Sequence, residues 1–147
     1  MRYFIFLFFF LYSCHLHCQS NETQIYNNVY KFRDSAENDS YSLSKRILYA
    51  RKAMSFSDLT KNDSTILKSN RILSLLFIKN QDFDSLYSIN FKNLKLAAKL
   101  KDSLKMAYAS HNIGYHFEIN IKVDSAYAYY FKARKYYNAS NKKEYEV

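Results

Sequence analysis

A chain of 147 residues with one glycine, no proline and two cysteines is long enough to bury one core without disulfide staples and short enough to be one domain. Sheets and long loops use glycine and proline as punctuation, so their near absence excludes most β architectures and favours helices joined by short polar turns. The formal charge of +9 can mark anionic partners, but the basic residues alternate with Asp and Glu and never run beyond two. The charge is therefore read as a solvated surface, and no nucleic-acid partner is expected.

The first twenty residues read as a leader. Arg2 supplies a positive start and residues 3–12, "YFIFLFFFLY", an apolar run, half the ~20 residues a membrane-spanning helix needs. An export signal is expected rather than an anchor. Two endings compete. "LYSC" resembles a bacterial lipobox, with Leu11 and Ser13 before a lipid-accepting Cys14, whereas "CQS" ends at Ser20 in the manner of an ordinary signal-peptidase site. Membrane contact is expected only through a lipid on Cys14. Cys14 and Cys18 with His15 and His17 invite a metal reading, but this cluster lies in the leader, so no metal or cofactor is expected. The mature domain would span 21–147, exported to the periplasm, the cell envelope or the medium.

Beyond the leader, Asp-Ser recurs at 34, 39, 63, 84, 102 and 124, and the last five each precede a stretch of helical periodicity. An Asp at an N-cap accepts a hydrogen bond from a free N–H and sits at the positive end of the helix dipole, together worth about 1 kcal/mol. These caps predict helices over 41–58, 64–80, 85–101, 103–119 and 125–138, with a weaker one over 24–33.

The helices repeat. Lys52, Lys92 and Lys132 are spaced by forty, as are Asp84 and Asp124. A helix pair recurring at this period marks an α-solenoid, in which each pair buries its apolar face by stacking on the next. The last pair, "SHNIGYHFEINIKVDSAYAYYFKA", resembles a tetratricopeptide repeat. Ile113, Gly114 and Phe117 fall where the family's first helix carries large, small and aromatic residues. Ala126, Tyr130 and Ala133 match its second helix. The resemblance implies an all-α, right-handed α-solenoid of antiparallel helix pairs, about three repeats long, with an uncapped C-terminal end. Forty residues earlier Leu73, Ser74, Phe77 and Leu86 fit the pattern, but Asn90 and Asn93 do not. A shift by one residue aligns Tyr87, Phe91, Leu94 and Ala98 as an apolar stripe, so that helix is expected to be rotated. The first pair keeps Ala50 and Ala53 but has Arg46 at a small position. Gly114→Leu should force its pair apart, whereas Gly114→Ala should be near neutral.

The aromatic and basic stretch "DSAYAYYFKARKYYN" is a packing code on this reading. Ala126, Tyr130, Ala133 and Tyr137 step by four, three and four along one helix face. Tyr129 and Tyr136 are expected to face the side where a fourth pair would stack, which makes self-association through the C-terminal end an expectation. No Gly-rich phosphate loop or HExxH motif occurs. His111 and His116 are five apart, roughly 140° around a helix, and cannot share a metal. No catalysis is expected.

What the repeat resemblance implies for function is a protein or peptide partner on the concave face made by first helices. By position that face holds Lys68, Arg71, Leu75 and Ile78, then Tyr108, His111, Tyr115 and Glu118. Lys68, Arg71 and His111 make it mildly basic, suited to acidic or carboxylate-ended peptides. Some family members clamp a terminal carboxylate with Lys, Asn and Arg; Arg71 and Asn112 fit in part, and Leu75 departs. Arrays of this tyrosine-rich style also resemble exported regions of Bacteroidota sensor histidine kinases and helix-turn-helix regulators. The alternative expectation is therefore the sensor portion of a signalling protein whose effector domain lies elsewhere.

Overall fold

The computed structural model describes residues 21–140 as helices joined by short turns, with no strand among the described residues. Helix α1 occupies 21–37, followed by α2 (Leu43–Leu59), α3 (Asp63–Lys79), α4 (Phe83–Lys99), α5 (Ser103–Ile119) and α6 (Val123–Ala139). From α2 onward each helix starts twenty residues after the last, so a helix pair recurs every forty. The region expected to hold the weakest helix, 24–33, is a full helix over 21–37. The leader, Cys14 included, and residues 141–147 lie outside the described residues.

The regularity originates in the turns. Each of the last four is three residues long, with its middle residue left-handed: Lys61, Gln81, Lys101 and Ile121 have φ of 52°, 56°, 54° and 57°. In the last three the amide after that residue reaches back five positions. Asp82 N–H donates to Phe77 O (3.0 Å), Asp102 N–H to Ala97 O (3.0 Å) and Lys122 N–H to Phe117 O (2.9 Å). This is the Schellman closure, which usually employs glycine because other residues pay steric strain there. The chain performs it three times without one.

The next residue caps the following helix. Asn62 Oδ1 accepts from Thr65 N–H (2.9 Å), Asp82 Oδ1 from Ser85 N–H (3.2 Å) and Asp102 Oδ1 from Lys105 N–H (3.0 Å). Ser42 caps α2, and Lys122, before α6, offers no side-chain cap. Of the expected Asp caps only Asp102 is one. Asp63, Asp84 and Asp124 sit inside the first turn because the left-handed residue hands the cap position to the residue immediately after it. Their charges still complement the helix dipole. Asp39 instead receives the guanidinium of Arg46.

Consecutive helices pack against one another. Ala36, Ala50, Leu73, Leu76, Phe77, Leu86 and Ile89 form one buried cluster, with Leu43, Ile47 and Phe83 partly buried against it. Ile113, Ala126 and Ala133 are buried in the last pair. Arg46, at its nominally small position, lays its Nε–H on Ala36 O (2.8 Å), closing the end of α1.

The expected rotation of α4 does not occur. Leu86, Asn90, Asn93 and Ala97 face inward, while Phe91 and Ala98 are exposed. For Asn90, polar partners explain why. Asn90 Nδ2 donates to Ser74 Oγ (2.7 Å) and Leu86 O (2.8 Å), and Asn90 Oδ1 accepts from Asn112 Nδ2 (3.3 Å). A buried amide is tolerated once its hydrogen bonds are made. A second polar contact joins α1 to α3, where Arg33 Nε–H donates to Ser69 Oγ (2.8 Å). Burial depresses the affinity of the Arg33 guanidinium for its proton, opposed by the charges of Tyr30, Glu37 and Asp34.

Candidate functional site

On α3, Lys68, Arg71 and Leu75 are exposed and follow each other at spacings of three and four, which places them on one face. Ile78, at the end of the same stripe, is half-buried. Exactly one repeat later α5 presents Tyr108, His111, Tyr115 and Glu118. The two stripes adjoin because α3 and α5 are next-but-one neighbours. The Arg71 guanidinium lies over the Tyr108 ring, 4.8 Å from its centroid, and Asn112 Nδ2 reaches Ser74 Oγ at 3.3 Å.

Helix α6 completes the surface from the side. Tyr137 meets Tyr108 edge-on at 5.8 Å, and Tyr130 lies 5.2 Å from the His111 ring. The Tyr130 hydroxyl donates to Glu118. Tyr115 is held edge-on by Phe83 at 5.7 Å. Arg71, Tyr108, Tyr137 and the group His111, Tyr130, Glu118 therefore form a continuous aromatic and charged surface over three helices.

The charge on this surface is unevenly held. Among the described residues neither Lys68 nor Arg71 makes an ion pair, so both cations are open to an anion. Glu118 is engaged by Tyr130. Burial pushes the His111 imidazole below its ordinary pKa of 6.5, against the pull of Glu118. The Tyr130 phenol is pushed well above its ordinary 10, by burial first, then by its hydrogen bond to Glu118 and the charges of Glu118 and Tyr115; it remains a donor.

Asn112 is half-buried and committed to Ser74 and Asn90. Its amide is therefore already engaged within the fold. Tyr130 and Tyr137, on the packing face of α6, both reach the α5 stripe. No spacing rule within one helix signals this, since the contacts arise from the antiparallel docking of α6 on α5.

Among the described residues no three His, Cys, Asp or Glu side chains gather where they could hold a metal, and no helix is long and apolar enough to cross a membrane. Comparison with protein-family models, with curated proteins and with solved structures finds no match.

Proposed function

We propose that this chain is a non-catalytic, exported scaffold of the tetratricopeptide-repeat type, a right-handed solenoid of about three helix pairs. Its first-helix face binds a protein or peptide partner. The observation that carries the reading is the register of two stripes forty residues apart, Lys68-Arg71-Leu75 and Tyr108-His111-Tyr115, joined where Arg71 lies 4.8 Å over Tyr108. Such a surface offers two unpaired cations for carboxylates, tyrosine rings for apolar side chains and Leu75 between them.

The layer made by α1, α3 and α5 also supports its being the concave side. Contacts between next-but-one helices there include Arg33 to Ser69 at 2.8 Å and Asn112 to Ser74 at 3.3 Å. In the layer of α2, α4 and α6 the corresponding contact is an exposed ion pair, Lys92 to Asp58, at 3.4 Å. The inner side of a curved stack brings its helices closer.

The test is capture of a peptide library rich in Asp and Glu, prepared with free and with amidated C-termini. Wild-type protein should retain acidic members and lose them as salt rises, because exposed charges are screened beyond about 10 Å at 0.1 M. Lys68→Glu with Arg71→Glu should abolish retention while the helical circular-dichroism signal is unchanged. Retention that survives this double charge reversal would overturn the assignment of the face.

A further inference from the structure

The forty-residue register allows each end of the array to be compared with its own interior. At the C-terminal end Val123 and Tyr127 are 70% and 72% exposed. Their counterparts one repeat earlier, Phe83 and Tyr87, are half-buried because the following helix covers them. Tyr115 packs on Phe83, and Tyr87 lies 4.7 Å from His116 and 5.6 Å from Phe117. Two repeats earlier Leu43 and Ile47 are likewise packed against the core. Among the described residues Tyr127 and Phe131 stack on each other, at 6.5 Å, with the Lys135 ammonium over Phe131 at 5.0 Å. Among the described residues no helix follows to cover them.

The N-terminal end shows the complementary gap. Tyr30 is 56% exposed, whereas Asn70 and Ser110, forty and eighty residues on, are 0% exposed. Among the described residues, position by position, no helix precedes α1 and none follows α6. The two ends also differ in charge: α1 carries Glu22, Asp34 and Glu37 against Lys31 and Arg33, while α6 carries Lys132, Arg134 and Lys135 against Asp124.

We infer that the chain associates head to tail with further copies of itself, α1 of one copy seating on the Val123–Tyr127–Phe131 face of another and continuing the repeat. The acidic end would meet the basic end, and Tyr30 would enter a position that is buried everywhere else in the array. An interface joining two different surfaces leaves one of each free on a pair of copies, so association should proceed beyond two copies.

Sedimentation velocity over a concentration series tests this on the full chain. The weight-average mass should rise past that of a dimer and fall as salt is added. Tyr127→Glu and Tyr30→Glu, both at exposed positions, should each yield monomers with the wild-type thermal midpoint. Mixing these two variants should restore a one-to-one complex that grows no further, because each supplies the intact end the other lacks. A Tyr30→Glu variant that still dimerises would point to α6 pairing with α6 and overturn the proposal. So would a monomeric wild type in which Tyr127→Glu lowers the thermal midpoint, since chain beyond Ser140 would then be covering the rings in cis.

Discussion

At Gly114 an added Cβ would lie 2.8 Å from both Tyr130 Cδ1 and Cε1 and 3.3 Å from Ala126 O. The ring has little freedom to yield, with its hydroxyl donating to Glu118 and its face 5.2 Å from His111. Near-neutrality of Gly114→Ala, expected when only helix propensity and a small gap are considered, is therefore corrected by the structure. Overpacking costs about 1–3 kcal/mol, and the propensity gain of about 1 kcal/mol offsets only part of it. Gly114→Ala should lower the thermal midpoint, and the same change in a Tyr130→Ala background should not. If the cost is equal in both backgrounds, the ring is not what demands glycine. Asn90 teaches the opposite lesson at the same scale. A residue that looks misplaced in an apolar stripe is held inside by three hydrogen bonds that no one-dimensional pattern displays.

Among the helices, α6 has the poorest entry. Its turn places β-branched Ile121 in the left-handed region with its side chain 84% exposed, and Lys122 follows where the sister turns carry Asp82 and Asp102. A non-glycine residue at such a φ costs about 1–2 kcal/mol, reduced by the extra entropy glycine loses on folding. Restoring a side-chain cap is worth about 1 kcal/mol. Ile121→Gly and Lys122→Asp should each raise the thermal midpoint, and together roughly additively, because the backbone hydrogen bonds of the turn involve neither side chain. A drop in stability from Ile121→Gly would mean that the exposed side chain has a partner.

For the array as a whole, stability should follow position. In a stack of helix pairs each unit is stabilised by its neighbours, so interior units are held on two sides and terminal ones on one. Amide exchange measured under dilute, monomeric conditions should show α3, α4 and α5 most protected, with opening more frequent in α1 and α6. Uniform protection from α1 through α6 would indicate one cooperative unit instead. The rings left uncovered at the C-terminal end are also settled at this scale. Tyr129 stacks on Phe117 at 5.6 Å and is half-buried within its own pair, and Tyr136 is half-buried too. Tyr127 and Phe131 are the exposed ones, a rotation of the helix face relative to the sequence expectation.

Local sequence alone determined the helical class, the helix positions to within a few residues, the forty-residue period and the inward stripes of Ala126, Ala133, Ile113 and Gly114. Those features follow from interactions within one turn or one helix: N-caps, helical periodicity and the near absence of glycine and proline. Tertiary structure decided the rest. It set which of two candidate faces α4 buries, because the answer depends on Ser74 and Asn112 from other helices. It engaged the Asn112 amide with Ser74 and Asn90 and brought Tyr130 and Tyr137 against the candidate site. It also lowered the pKa of His111, since desolvation depends on what packs around a group rather than on its neighbours in sequence. The candidate stripes were legible as positions, but their chemistry was not, because the contacts of their polar groups lie on other helices.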